Sequence, residues 1–292
     1  MRLNRSALLL AGFSFFWSIA ETVVPASGVS LYQIVWSRYA VHLAVLLLLF
    51  APRRGVTALV RTPRPGWQIL RSLLMLGMPL CFIFGVRMLR PGNMLGVFWI
   101  APLMIIALAA LSRASFGGVR TLVAAGTGLL GVWLVLRPDS DALTLPALLP
   151  IGMALCFALY IHMTAQMRDE AILPKLVHTA LWVFLALSLL MPAVWRTPSL
   201  AGVGSLVAIG SIGLFGLYLL DRAVDTDRWA ALAPVLYLQV VYEVLFRWGL
   251  RDMAPSRLGL IGMGLIVLAV LPAFFGREER GSREEAAPVR AA

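Results

Sequence analysis

The chain has 292 residues, 60% of them hydrophobic and only 13% charged, with a mean hydropathy of +0.87. A soluble globular domain does not carry this balance, so the composition excludes that class and predicts an all-α polytopic membrane protein. A net charge of +11 would suggest nucleic acid in a soluble protein. Here the arginines sit in short loops between apolar runs, where they orient the chain in a bilayer, and no nucleic-acid partner is expected.

Hydropathy places about ten spans near the ~20 residues a helix needs to cross a membrane. They fall roughly at 6–25, 31–51, 68–89, 92–112, 119–136, 146–166, 173–194, 200–220, 229–249 and 256–275. Arg2 and Arg5 ahead of Ala7 to Ala20, with the cleavage-like Ala26-Ser27-Gly28, imitate a signal peptide. The apolar length of Leu8 to Val24 with its flanks favours an uncleaved first span. Arg90-Pro91-Gly92 punctuates the third and fourth spans as a turn. The segment 137–146 reads as a linker between halves, and 276–292 as a disordered, charged tail.

Arginine placement predicts orientation. If the N-terminus is cytoplasmic, the inner segments hold Arg53, Arg54, Arg61, Arg64, Arg113, Arg120, Arg168, Lys175, Arg222, Arg228 and the arginines of both termini. The outer segments hold only Arg87, Arg90, Arg137, Arg196, Arg251 and Arg257. This asymmetry favours both termini inside. Cys81 and Cys156 both fall in apolar runs and read as packing residues.

The run Asn93 to Leu111 carries Pro102 near its middle. A proline there frees a carbonyl at mid-membrane depth, which is tolerated where the helix faces protein or a wet cavity. The pattern returns in Trp229 to Leu250, where Ala233-Pro234 repeats Ala101-Pro102. Gly126, Gly128 and Gly131 in the fifth span likewise parallel Gly259, Gly262 and Gly264 in the tenth; small residues at such spacing let helices approach closely. The chain therefore divides into two five-helix repeats, 1–140 and 141–275. With an odd number of spans each, the halves enter the membrane in opposite senses, the inverted-repeat arrangement of secondary transporters.

On Trp17, Arg38-Tyr39, the two Ala-Pro spans and the glycine-rich fifth and tenth spans, the chain resembles the drug/metabolite transporter superfamily, EamA type, over about residues 6–275. The resemblance implies a ten-helix bundle in a bacterial inner membrane with both termini cytoplasmic. It also implies a central cavity built from spans one to four and six to nine, and export of small metabolites. The branch it looks most like exports aromatic and other amino acids. Many members carry a glutamate after the fourth span; here that loop is Ser112-Arg113-Ala114-Ser115-Phe116.

Ionisable groups inside spans cost about 2.5–3.5 kcal/mol each on insertion scales, so each needs a reason. Arg38 and His42 share a face of the second span and suit a substrate carboxylate, with His178 of the seventh as a counterpart. The alternative for Arg38 is pairing with backbone carbonyls or snorkelling outward, and for a lone histidine it is a packed, hydrogen-bonded position. Glu243 and Arg247 sit four apart and can pair, which leaves Glu243 a poor proton carrier. With Glu21 the only other intramembrane carboxylate, facilitated diffusion or exchange is expected rather than proton coupling. Trp17, Trp99, Tyr160 and Tyr237 lie deep in their spans and are candidates for cavity walls, with core packing the alternative. Gln239 and Asn93 could orient a polar head. Pro79, Pro102 and Pro234 are candidate hinges.

No zinc-binding His-Glu-x-x-His helix, nucleophile elbow or P-loop is present, and no cofactor or metal is expected. Asp221, Asp225 and Asp227 resemble one half of a prenyltransferase-like Mg²⁺ site, but a single cluster beside Arg222 and Arg228 reads as a solvated loop. A membrane enzyme acting on a lipid-linked or prenyl substrate is therefore the alternative to a transporter. The expected partners are a small-molecule substrate and the lipid bilayer, with the protein a monomer or homodimer.

Overall fold

A computed structural model describes residues 4–22 and 28–275. Arg2, the Ala26-Ser27 part of the cleavage-like run and the 276–292 tail lie outside the described residues. The described chain is helical: α1 (Arg5–Thr22), α2 (Leu31–Arg54), α3 (Val56–Val60), α4 (Pro65–Gly85), α5 (Pro91–Phe98), α6 (Ala101–Leu111), α7 (Val119–Leu136), α8 (Leu148–Gln166), α9 (Ile172–Ser188), α10 (Met191–Val194), α11 (Leu200–Ala223), a 3₁₀ helix (Trp229–Tyr237), α12 (Leu238–Arg251) and α13 (Arg257–Phe274). Eight of these stretches are long and apolar enough to cross a bilayer. The seventh span falls short at 17 residues as α9, and reaches its expected length only by continuing through a turn into α10.

Local chemistry sets the ends. Asn4, Ser30, Ser199 and Ser256 cap α1, α2, α11 and α13 by accepting from backbone N–H groups of the first turn. Pro65 and Pro91 start α4 and α5, where the missing N–H costs nothing. Asn93 accepts from Asp139 N at 2.9 Å and donates to its carboxylate at 2.6 Å, so it ties the fourth span to the linker and does not face a ligand.

The fourth and ninth spans are broken. In the fourth, Trp99 and Ile100 form a turn, with Ile100 N donating to Val97 O and Leu103 N to Ile100 O, and Pro102 lies in the first turn of α6. In the ninth, nine residues around Pro234 are wound as 3₁₀ helix, long for that geometry and a frequent mark of a hinge.

The packing follows a pattern that survives exchange of the two halves. α1 packs on α11 as α4 packs on α8, and α2 lies on α11 as α9 lies on α4. α2 packs on α9, and α7 on α13. Gly131 and Gly262 bring α7 and α13 into backbone contact, since a Cβ on Gly131 would sit 2.6 Å from Gly262 O. Gly128 makes room for the Tyr237 ring, whereas Gly126 and Gly264 face open space. Asn4 N donates to Phe274 O at 3.0 Å, so the first and last helices begin and end at the same end of the bundle.

Candidate functional site

A cavity of about 330 Å³ lies among α1, α2, α4, α5, α8, α11 and the ninth span. Its walls are aromatic and aliphatic: Phe13, Trp17, Tyr39, Phe82, Phe98, Trp99 and Phe157 contribute rings, and Met75, Met78 and Met153 contribute flexible thioethers. Phe98 packs on Trp99 and on Phe157 at centroid distances of 5.2 and 6.1 Å, and Phe13 on Trp17 at 5.6 Å. The floor is closed, with Leu220 1% and Met75 4% exposed, while Leu31 at the other end is 42% exposed. The cavity therefore opens toward the end of the bundle where α2 starts and α12 finishes, opposite the start of α1.

Charges gather near that mouth. The Arg38 guanidinium lies 4.8 Å over the Trp17 ring and donates from Nη2 to Glu21 Oε1 at 3.0 Å. Its Nε is buried without a partner. Across the cavity Gln239 Nε2 donates to Glu243 Oε1 at 3.1 Å, while Arg247 approaches the same carboxylate only to 3.9 Å. The structure thus gathers Trp17, Arg38, Trp99 and Gln239 with Pro79 on one lining. α4 runs through Pro79 without interruption.

The other sequence candidates lie elsewhere. His42 is buried between the Tyr39 ring and the Gly213 backbone. His178 has Nε2 2.9 Å from Val60 O, and its Nδ1 accepts from Trp182, so it clips α9 to the last residue of α3. Tyr237 packs between Gly128 and Trp99. Tyr160 lies beneath the cavity floor in a polar cluster that sequence reasoning did not assemble.

That cluster centres on Arg71, which is fully buried. Its Nε donates to Thr164 Oγ1 at 2.7 Å, and Nη1 to Lys175 O at 3.1 Å and Thr179 Oγ1 at 3.0 Å. Nη2 donates to Tyr160 OH at 2.6 Å and Asp221 Oδ2 at 2.5 Å, and the Tyr160 hydroxyl donates to Asp221 Oδ1 at 2.8 Å. Every guanidinium donor is used, the condition under which a buried ion pair is tolerated. The expectation of a solvated Asp221-Asp225-Asp227 loop holds for the exposed Asp225 and Asp227 and is corrected for Asp221: α11 runs on to Ala223, which carries Asp221 inside the bundle at 1% exposure. Asp225 pairs with Arg222 and Asp227 with Arg168. Lys175, read as a loop residue, is likewise buried in α9 with Nζ 3.4 Å from Met167 O. The usable signal was an arginine one turn inside the third span and an aspartate at the end of the eighth, opposite charges in two apolar helices.

No family model matches the chain. A riboflavin transporter of Brucella anthropi is 26% identical over 280 residues, covering 92% of this chain and 94% of that protein. A riboflavin transporter of Vibrio cholerae is 24% identical over 95% of this chain and 94% of its own length. The chain is a relative of bacterial membrane transporters. An S-adenosylmethionine uptake transporter of Rickettsia prowazekii is 24% identical over 78% of each chain. A solved crystal structure superposes with a TM-score of 0.77 at 20% identity, covering 91% of this chain and 96% of that one, which shows a shared fold. These named relatives are transporters and not enzymes.

Proposed function

We propose that this chain is a secondary carrier that moves small metabolites with a flat aromatic part and a zwitterionic head, aromatic amino acids among them, by alternating access. The observation that carries this reading is the cavity itself: aromatic walls from Trp17, Phe98, Trp99 and Phe157, with a cation at Arg38 on one side and the Gln239–Glu243 pair on the other. A pocket of roughly 300–1,000 Å³ that is mostly apolar with a few placed polar groups is the ordinary form of a small-molecule site. The free Nε of Arg38 suits a carboxylate, and Glu243 suits an ammonium. Riboflavin and S-adenosylmethionine, for which the relatives are named, both carry flat heteroaromatic rings, and the second also carries an amino-acid head.

Inverted five-helix repeats at 1–140 and 141–275 supply the mechanism in this proposal. The exchangeable packing pattern and the Asn4–Phe274 contact support it. Substrate enters the open end, and the halves rock about it to expose the other. In this proposal the gradient sets the direction, so export follows when the cytoplasm holds the higher concentration; some relatives are named for uptake. Facilitated diffusion or exchange is the mechanism in this proposal; the pairing of Glu21 with Arg38 supports it by leaving one fewer carboxylate free to carry a proton.

The test is flux into proteoliposomes with labelled tryptophan, phenylalanine, S-adenosylmethionine and riboflavin. Saturable flux of at least one zwitterion, lowered in Trp17→Ala and Arg38→Gln, is the expected result. Absence of flux for the whole panel would sink the reading, and strict dependence on a pH gradient would sink its uncoupled mechanism.

A further inference from the structure

We infer that the buried Arg71–Asp221–Tyr160 cluster is the latch that holds the bundle closed beneath the cavity, and that it must part for the opposite face to open. The inference rests on the carrier reading above. Arg71 belongs to α4 in the first half of the chain, and every acceptor it uses belongs to the second half: Tyr160 and Thr164 on α8, Lys175 and Thr179 on α9, Asp221 on α11. No other guanidinium among the described residues is fully buried.

Its position is that of a gate. Met75, one turn along α4 from Arg71, and Leu220, beside Asp221, both line the cavity floor. The cluster therefore lies directly beneath the floor, between the two helices that border it. At the open mouth the ion pairs differ in kind. Glu21–Arg38 stays within the α1–α2 hairpin, and Glu243–Arg247 within α12, so neither joins the halves there.

The chemistry suits a reversible closure. Inside the bundle, the pair is held only because every donor is satisfied at once, so partial separation strands charge in a medium that cannot solvate it. Once the helices part far enough for water to enter, both ions are hydrated and the cost is largely returned. The result is two favourable arrangements with an unfavourable one between them, as a switching element requires. An apolar plug would lack the second of these, since opening it would leave its surface wet.

The experiment reads accessibility rather than transport. Cys81 and Cys156 are replaced by serine, and Met75→Cys is the reporter. A membrane-impermeant maleimide is applied to sealed vesicles from the Arg64 side of the bundle. Little labelling is expected in the parent. Asp221→Asn should raise it by at least about tenfold, because removing one partner of a buried pair shifts the equilibrium between the two arrangements. Asp221→Asn leaves a lone buried cation and can lower folding yield, so the uncharged Arg71→Gln/Asp221→Asn double variant is measured beside it, with gel filtration to establish that each is folded. Tyr160→Phe keeps the charges paired and should give a smaller rise. Unchanged labelling in the folded single and double variants overturns the latch. Because labelling needs no substrate, a wild-type protein that carries nothing would defeat the carrier reading by a separate result.

Discussion

The crossing of α7 and α13 allows a stability effect to be separated from a transport effect. Gly131→Ala adds a methyl group that would sit 2.6 Å from Gly262 O and 2.9 Å from Ile266 Cγ1. A carbon rests about 3.3–3.6 Å from a carbonyl oxygen, so the helices must separate by about 0.7 Å at that point. Neither obstruction is the free end of a long side chain; the nearer one is backbone. The expected cost is about 1–3 kcal/mol, the range for overpacking a well-packed contact. Gly126→Ala on the same helix is the control, because its methyl group meets nothing. There the better helix propensity of alanine is expected to be neutral or to stabilise by up to about 1 kcal/mol. Thermal unfolding in detergent, followed by gel filtration with fluorescence detection, measures both. No residue of α7 or α13 lines the cavity, so flux per folded molecule should be unchanged in both variants. A Gly131→Ala protein as stable as its parent, or a Gly126→Ala protein equally destabilised, would refute the close-approach argument.

Three further outcomes are expected. Arg38→Lys keeps the charge but loses the planar group over Trp17, so it should raise the apparent KM for a carboxylate substrate while leaving expression unchanged, as flux saturation curves would show. Pro234→Ala restores an N–H to the 3₁₀ stretch and lets it wind as α-helix; turnover should slow more than expression falls, as should Pro102→Ala, and unchanged transport in both would remove the hinge role. Hydrogen bonds from the Asn93 side chain and the Asp141 backbone hold the Asp139 carboxyl below its ordinary range. A depressed carboxylate contributes stability above its unfolded pKa and loses it as pH falls through the folded value. The stability difference between wild type and Asn93→Ala should therefore be present at neutral pH and shrink below about pH 3.9; a difference constant across that range would contradict the assignment.

Much of the architecture was readable without coordinates because apolar length is a local property. The spans at 119–136 and 200–220 are fixed by their own residues and reappear as α7 and the main part of α11. The breaks at Pro102 and Pro234 were visible because proline removes its own N–H wherever it sits. Trp17, Arg38, Trp99 and Gln239 could be named for their chemistry, yet nothing in the linear order distinguished them from Tyr160, Tyr237, His42 and His178, which the fold turns to other tasks. Depth in a span is shared by all eight; which side of the helix meets the cavity depends on the neighbour it packs against.

The Arg71 cluster marks the boundary most clearly. Sequence by itself determined that Arg71 lay inside an apolar span, where a charge has to be answered by something, while Asp221 and Lys175 read as loop residues in water. Only the tertiary structure decided that one guanidinium answers to three helices of the other half, because hydrogen-bond satisfaction depends on distances across the bundle. Periodicity along one helix carries no information about those distances.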